Sequence, residues 1–379
     1  MKKLGLIIFF DVFVLMLLGL TMVMSASSTY SVFKFDSIFY LFNSHLFKVF
    51  LGIGAIILFA FIPYEYYRRL SKPIIIITTF LLFITLFFAP DIKGAGRWLN
   101  LGFISIQPAD IAKLVLIVHL AALLESKASL IDDFKNGFLY FFIWIMVISG
   151  LIMLQPNISS GIMLIVISLT VIYAGGAKLR HIFISLLISG MVIGVAAMIF
   201  PHSRSRIFSY VDSISGGGDM NFQVKQALYS LGSGGIFGVG IGNSMQSNLF
   251  LPEAYGDFIF AILGEEFGLV GSIMVLAAYL VFLVAGILIA KKSKDMFGQL
   301  LAFGITISIV FYAFVNVAVT TGVFPTTGLP LPFISYGGTS LIFLCISVGI
   351  LINIAFTNHL RQNGIIHVPD QTAVDGIKG

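Results

Sequence analysis

Ten long apolar stretches dominate this sequence and restrict the folds that it can adopt. They cover roughly residues 5–24, 46–63, 73–90, 109–125, 137–154, 157–174, 181–200, 258–290, 299–322 and 338–357. An α-helix needs about 20 mostly apolar residues to cross the hydrocarbon core of a bilayer. Because lipid offers the backbone no hydrogen-bond partners, a continuous apolar stretch at that depth has to be helical. The sequence therefore predicts an all-α, polytopic integral membrane protein with about ten transmembrane helices.

The composition excludes the other broad classes of fold. Of the 379 residues, 58% are hydrophobic and 10% are charged, whereas soluble domains carry about 25% charged residues. The apolar stretches are continuous rather than alternating, which argues against a membrane β-barrel. The single cysteine, Cys345, lies in an apolar stretch, so we expect neither a disulfide nor a thiolate metal site. The first stretch follows Lys2 and Lys3 as in a secretory signal, but its length favours a retained first helix.

The distribution of lysine and arginine predicts the orientation in the membrane. Ten spans place both termini on one side, and fourteen of the 22 cations fall on that side, against eight on the other. Cytoplasmic loops carry the excess of positive charge, so both termini are predicted to be cytoplasmic. The net charge of +5 therefore reflects topology, and no nucleic-acid partner is expected. We assign residues 1–358 to one transmembrane domain and 359–379 to a flexible cytoplasmic tail.

The connection at about 201–257, between the seventh and eighth predicted spans, is long and is predicted to be extracellular. It is polar and glycine-rich, with apolar residues interspersed. Long connections in compact folds are often functional, and a flexible linker is the alternative. The glycines at 238, 240 and 242 lack the strand–helix context of a dinucleotide site. The sequence contains no ATP-binding motif.

Asp257 is the first candidate for chemistry. Glu253, Asp257, Glu265 and Glu266 place four carboxylates within 14 residues, where the eighth span begins. A carboxylate at membrane depth is costly and needs a partner or a function. Pro252 and Gly256 allow a bent entry into the span, which leaves Asp257 as the last charged residue before an apolar run. We interpret Asp257 as a catalytic base that faces the outside of the cell; helix capping and anchoring is the alternative.

Two other predicted outside segments carry polar motifs. In residues 93–113, Asp110 and Lys113 can share one helical face, and Arg97 or Lys113 is a candidate for binding an anion such as a phosphate. A capped helix with a local ion pair is the alternative. Residues 325–338 hold three prolines and three glycines and cannot form a helix. This largely apolar segment either lines a cavity or forms a structural re-entrant turn.

These motifs together resemble the SEDS family (shape, elongation, division and sporulation), the bacterial membrane glycosyltransferases that polymerise peptidoglycan. The resemblance covers nearly the whole chain, and the details at 242–244 and 264–266 are more similar to the FtsW branch than to the RodA branch. The chain departs from the family pattern at Tyr255-Gly256, Asn157 and Ser247. The motifs that carry the resemblance are Met24–Ser27, Gly96–Leu99, Gln107–Lys113, Leu231–Gly235, Gly238–Asn243, Leu251–Glu253, Asp257-Phe258, Thr327-Gly328, Pro330–Pro332 and Ser335–Gly338.

The resemblance implies a polymerase of lipid II at the bacterial cytoplasmic membrane. The donor would be the glycan on undecaprenyl pyrophosphate, and Asp257 would deprotonate the GlcNAc 4-hydroxyl of the acceptor. No cofactor is certain; a divalent cation, Mg²⁺ or Mn²⁺, is possible, and no protein metal site is predicted. The expected partner is a class B penicillin-binding protein transpeptidase, besides membrane lipids. A lipid II flippase or transporter and a non-catalytic division scaffold remain open. The predicted substrate-binding residues are Arg97, Lys113, Arg204, Arg206, Glu253, Gln107, Ser335 and Tyr336.

Overall fold

The structure of the protein is a computed structural model that describes residues 1–89, 96–100, 105–215, 220–248 and 250–364. Within these ranges the chain is almost wholly helical, apart from one two-stranded antiparallel sheet and irregular segments between helices. The elements are α1 (Lys2–Phe35), α2 (Tyr40–Phe61), α3 (Glu65–Phe88), β1 (Leu99–Asn100), β2 (Ser105–Ile106), α4 (Pro108–Ser126), α5 (Leu139–Leu154), α6 (Ile158–Ala174), α7 (Leu179–Ile199), α8 (Pro201–Ile214), α9 (Phe222–Gly234), α10 (Ile259–Lys292), α11 (Met296–Thr320) and α12 (Thr339–Gln362), with a 3₁₀ turn at Ala128–Leu130 and a π-helical turn at Phe134–Phe138.

Ten of these helices lie at the ten predicted spans. Seven of them, α1, α2, α3, α7, α10, α11 and α12, are long and apolar enough to cross a membrane. Helices α5 and α6 are apolar but shorter, at 16 and 17 residues. Helix α4 has 19 residues and carries three charged side chains, Asp110, Lys113 and Glu125. The prediction of an all-α polytopic membrane protein is confirmed.

The start of α1 and the end of α12 lie side by side at one end of the bundle. The first turns of α1 lie beside the end of α12, where a Cβ on Gly5 would be 3.4 Å from the Ala355 side chain. Near the end of α12, the Arg361 guanidinium donates hydrogen bonds to the Tyr64 hydroxyl at 2.7 Å and to Asp295 Oδ2 at 3.2 Å. Arg361 also pairs with Glu65. This buried network connects α12 to the start of α3 and to the α10–α11 connection, and it lies at the end where the sequence predicts cytoplasm.

The connection predicted at 201–257 contains two helices that the sequence analysis did not identify. Helix α9 packs on the start of α10, where the Ser230 hydroxyl donates to the Ala261 carbonyl at 3.0 Å and to Glu265 Oε2 at 2.8 Å. The flexible-linker alternative is therefore wrong for α9. Helix α8 ends at Ile214, and residues 216–219 lie outside the described residues.

Helix α10 is bent near its start. Gly268 has a φ of 67° inside the helix, a conformation that side chains with a Cβ rarely adopt. A Cβ at this position would come within 2.4 Å of the Gly238 nitrogen and the Ile236 oxygen. The loop after α9 crosses α10 at this glycine. The part of α10 before Gly268 therefore runs in a different direction from the part after it.

The last helix, α12, extends further toward the C-terminus than the sequence predicted. Helix α12 ends at Gln362, so residues 359–362 of the predicted tail are helical. Of the predicted tail, residues 365–379 lie outside the described residues.

Candidate active site

Asp257 lies in a non-helical turn that leads into α10, as the proline and glycine before it predicted. Three side-chain and backbone contacts hold this turn. Asn316 of α11 donates from its amide nitrogen to the Asp257 carbonyl and to the Leu329 carbonyl, both at 2.7 Å. The Ser335 hydroxyl donates to the Gly256 carbonyl at 2.7 Å. These bonds join the turn to the segment at 325–338, which is irregular as predicted and packs against it.

Two arginines from distant parts of the sequence interact electrostatically with the Asp257 carboxylate. The Asp257 charge raises the pKa of both Arg97 and Arg206, while burial is the larger effect and lowers the pKa of each guanidinium below its ordinary value. The positive charge of Arg206 lowers the pKa of Arg97 further. These mutual effects require that the three charges lie close together. One carboxylate thus lies beside two partly desolvated cations.

Backbone carbonyls hold the two guanidiniums in position. Arg97 Nε donates to the Gln155 carbonyl at 3.2 Å, and Arg97 Nη2 donates to the Pro156 carbonyl. Arg206 Nη1 donates to the Thr326 carbonyl at 3.4 Å. Neutral acceptors orient both cations without cancelling their charge, so the remaining donors can bind an anion.

Gly328 allows the chain to pass close to this cluster. Its φ is 73°, and a Cβ at this position would lie 3.3 Å from Asp257 Oδ2 and 3.8 Å from Arg206 Nη1. The backbone of the 325–338 segment therefore forms one wall against which the carboxylate and the guanidinium pack.

Lys113 and Gln107 have structural contacts of their own. Lys113 Nζ lies 2.8 Å from Asp110 Oδ1, which confirms that the two residues share a helical face, and 4.7 Å from the centre of the Tyr312 ring. Asp110 also accepts a hydrogen bond from the Thr339 hydroxyl at 3.3 Å. The same hydroxyl accepts from the Gln107 backbone nitrogen at 3.2 Å. Because Asp110 neutralises Lys113, this lysine is less suited to an anion than Arg97 or Arg206.

Arg204 is exposed to solvent, and Glu253 belongs to the turn before Asp257. Arg204 is exposed on α8, two residues from Arg206, and residues two apart on a helix do not face the same way. Glu253 has a left-handed backbone with φ 58°, and its carbonyl accepts from the Gly256 nitrogen at 2.9 Å. Its charge, together with burial, raises the pKa of Tyr255. Glu253 therefore shapes the turn and lies near the tyrosine.

Tyr336 extends from the site toward α2. Its backbone nitrogen donates to the Tyr255 carbonyl at 2.9 Å. Its hydroxyl lies 3.1 Å from the Ser44 hydroxyl and accepts from Lys48 Nζ at 3.2 Å. The structure thus adds Lys48, which the sequence analysis counted only as a cation of the outer face. An ionisable side chain inside an apolar span is the signal that could have identified it.

Glu265 and Glu266 fix the loop after α9 and lie away from solvent, each 2% exposed. The Glu265 carboxylate accepts from the Ser244 hydroxyl at 2.6 Å and from the Met245 nitrogen at 3.0 Å, in addition to Ser230. Glu266 accepts from the Gly242 nitrogen at 3.1 Å. Of the four clustered carboxylates, these two have structural hydrogen-bond roles.

The described residues contain no group of three or more His, Cys, Asp or Glu side chains that could hold a metal ion. Magnesium is usually bound by one or two carboxylates together with substrate phosphates. The Asp257 carboxylate fits that donor set, and a divalent cation stays a prediction.

Comparison with known proteins identifies the family. The FtsW/RodA/SpoVE family model, described as cell cycle protein, matches residues 6–360. A probable peptidoglycan glycosyltransferase FtsW of Geobacter sulfurreducens is 35% identical over 341 residues, which cover 89% of this chain and 91% of the relative. Stage V sporulation protein E of Bacillus subtilis is 37% identical over 349 residues, which cover 90% and 94%.

Solved structures share the fold. One is a chain of a peptidoglycan synthase complex that coordinates polymerization and crosslinking; its TM-score is 0.75 at 24% identity, over 93% of this chain and 97% of its own. The rod shape determining protein RodA of Thermus thermophilus has a TM-score of 0.69 at 23% identity, over 93% and 96%. The family model spans almost the full described chain, and the relatives match it over most of their length. The chain therefore belongs to the FtsW/RodA/SpoVE family.

Proposed function

We propose that the chain is a peptidoglycan glycosyltransferase that polymerises lipid II on the outer face of the bacterial cytoplasmic membrane. The observation that carries the proposal is the Asp257 carboxylate, which packs with the Arg206 guanidinium around Gly328 and interacts electrostatically with Arg97. A general base and cations for an anionic leaving group are the two requirements of this transfer. The name of the Geobacter sulfurreducens relative supports the same reaction.

The reaction needs one base and one anion site close together. Asp257 accepts the proton of the GlcNAc 4-hydroxyl of the acceptor as that oxygen forms its bond to the anomeric carbon of the donor. The bond from that carbon to the diphosphate breaks, and the lipid diphosphate leaves with the electron pair. Arg97 and Arg206 stabilise the negative charge that develops on it. The lipid-linked donor supplies its own activation, so the step needs no ATP.

The oriented guanidiniums suit this role. Each has donors tied to backbone carbonyls, so neither has to reorganise when the diphosphate separates. Preorganised charges of this kind are effective because the site does not have to rearrange during the reaction. Ser335 and Asn316 hold the backbone on both sides of Asp257, and this positions the base. If a divalent cation binds, the Asp257 carboxylate would hold it, and the cation would supply further positive charge for the diphosphate.

We further propose a class B penicillin-binding protein as the partner that crosslinks the product. The fold shared with a chain of a synthase complex that coordinates polymerization and crosslinking supports this pairing.

The test is reconstitution of the purified chain with its cognate transpeptidase and labelled lipid II. We expect glycan strands from the wild type and none from Asp257→Asn, because the amide keeps the shape of the side chain but cannot take the proton. Circular dichroism and thermal melting check that both proteins fold. Equal polymer from the two proteins would exclude Asp257 as the base. No polymer from either would favour a flippase, to be tested by lipid II translocation, or a scaffold.

A further inference from the structure

Lys48 is a cation on α2 that reaches away from the lipid and toward the site. Its neighbours Phe47 and Leu51 are 64% and 42% exposed on the outside of the bundle. Lys48 Nζ instead lies 4.3 Å from the centre of the Tyr336 ring and donates to its hydroxyl. An ionisable side chain within a span is expensive to keep there and usually has a function.

A row of tyrosines connects Lys48 to the turn that carries Asp257. The rings of Tyr336 and Tyr255 are 5.8 Å apart, and those of Tyr255 and Tyr30 are 5.2 Å apart. All three side chains are partly exposed. Tyr255 is two residues from Asp257, and its backbone is bonded to that of Tyr336. The row therefore passes the reacting centre at Tyr255 and has a lysine at each end, Lys34 beside Tyr30 and Lys48 beside Tyr336.

Aromatic rings with polar tips are suited to sugars. The flat C–H faces of pyranose rings pack on apolar ring surfaces, while the phenol hydroxyl can exchange hydrogen bonds with sugar hydroxyls. Burial and the nearby Glu253 charge raise the pKa of Tyr255, so its phenol stays neutral and keeps its donor. Of the two lysines at the ends of the row, Lys34 is exposed, whereas Lys48 is half-buried and held against the Tyr336 ring, which makes the Lys48 end the better place for an anion.

The proposed reaction joins two substrates that both carry a diphosphate. In the donor, the diphosphate is bonded to the carbon that reacts, so its cations have to lie at the base. In the acceptor, two sugar rings separate the reacting 4-hydroxyl from the diphosphate. The Arg97 and Arg206 pair, beside Asp257, meets the first requirement. Lys48, beyond the Tyr255 and Tyr336 rings, meets the second.

We propose that Lys48, Tyr336 and Tyr255 form the acceptor subsite: the two tyrosines contact the disaccharide, and Lys48 binds the acceptor diphosphate. This inference rests on the proposed function and says where the acceptor, the second substrate of that reaction, binds. The position of Lys48 on α2 suits the ligand, since α2 is membrane-facing and the isoprenoid chain has to remain in lipid. The Ser44 hydroxyl, 3.1 Å from the Tyr336 hydroxyl, helps to orient the ring.

The test is the dependence of polymerisation rate on lipid II concentration in proteoliposomes with the cognate transpeptidase. For Lys48→Gln we expect the apparent KM for lipid II to rise roughly tenfold and kcat to stay within about twofold, because a charged contact is lost away from the transfer step. Lys48→Arg keeps the charge and restores most of the affinity. Lys225→Gln, the same charge change at an exposed position of α9, leaves both constants unchanged.

A binding measurement separates the subsite from effects on folding. In the Asp257→Asn background, where transfer is blocked, we expect two lipid II molecules to bind per protein, and Lys48→Gln to weaken the Kd of one of these two sites about tenfold while leaving the other unchanged. Thermal melting in detergent checks the fold of each variant.

An unchanged KM together with unchanged affinities at both binding sites in Lys48→Gln overturns the acceptor subsite while leaving the glycosyltransferase proposal intact. A fall in kcat alone also overturns it, because Lys48 would then act on the transfer step or on the fold. If the wild type forms no polymer, the proposed function fails and the subsite fails with it.

Discussion

At the scale of single residues, Gly328 controls how closely the backbone approaches the Asp257 carboxylate. For Gly328→Ala we expect polymerisation to fall about tenfold, because a Cβ 3.3 Å from Asp257 Oδ2 forces the carboxylate to shift by a few tenths of an ångström, and a misplacement of about 1 Å costs about 100-fold. The left-handed backbone, with φ 73°, adds a stability cost of about 1–2 kcal/mol. The measurement is lipid II polymerisation together with thermal melting.

Gly176 offers a matched control for the backbone effect. Its φ is 101°, and a Cβ there would meet nothing within 4 Å. Gly176→Ala carries the same kind of backbone strain without touching the site, so we expect a similar loss of stability and nearly normal polymerisation. If the two variants polymerise equally well, the contact of Gly328 with Asp257 has no part in activity.

Also at the scale of single residues, the sequence analysis did not identify Asn316 as a residue that holds the Asp257 turn. It lies within an apolar stretch and is 1% exposed, and a buried amide in a span usually has hydrogen-bond partners. That rule indicates that partners exist. It cannot say that they are the Asp257 and Leu329 carbonyls, because one belongs to a turn 59 residues away in the sequence.

At the scale of elements, Glu265 attaches the loop after α9 to α10. For Glu265→Ala we expect three donors to lose their acceptor: the buried hydroxyls of Ser230 and Ser244, and the partly buried Met245 nitrogen. Each loss costs about 1–3 kcal/mol, and the loop should become the preferred site of limited proteolysis. The measurement is the rate of cleavage in residues 235–248.

Glu265→Gln separates this structural role from a chemical one. The amide can still accept from the Met245 nitrogen and can donate to the serine hydroxyls, so we expect near-normal cleavage resistance and polymerisation within about threefold of the wild type. Loss of polymer in a folded Glu265→Gln protein would show instead that this carboxylate takes part in the chemistry.

At the scale of the whole molecule, the orientation in the membrane can be tested by labelling. Cys345, the single native cysteine, is fully buried, so background labelling should be low. Asp212→Cys on α8 should react with a membrane-impermeant maleimide in intact cells, and Lys292→Cys at the end of α10 should react only after permeabilisation. Both positions are exposed. The reverse pattern would invert the topology and move Asp257 to the cytoplasm.

Also at the scale of the whole molecule, two different sets of polar contacts hold the two ends of the bundle. Arg361, with Tyr64, Glu65 and Asp295, joins three segments at the end of the bundle where α1 begins and α12 ends. The Asp257 turn is held by a different set of bonds at the opposite end. The long helices between the two ends provide a rigid frame, which a site built from irregular segments needs for precision.

The sequence by itself determined the class of fold and the local structure of the motifs. Hydropathy located the ten helices, because lipid forces any long apolar stretch to satisfy its own backbone. Prolines and glycines marked 325–338 as non-helical, and a spacing of three predicted the pair of Asp110 and Lys113. These are properties of neighbouring residues, which a pattern in the chain can carry. The sequence also identified Asp257 as the acid at the mouth of a span.

Only the tertiary structure decided which side chains surround Asp257. Of four candidate cations, it brought Arg97 and Arg206 to the carboxylate, paired Lys113 with an acid of its own helix, and left Arg204 exposed. It added Lys48 through Tyr336, a partner 288 residues away. Such contacts depend on how the helices pack and on which carbonyls orient each guanidinium. A local sequence pattern cannot predict which cations lie near Asp257, because the residues that interact are distant in the sequence and close only in the folded structure.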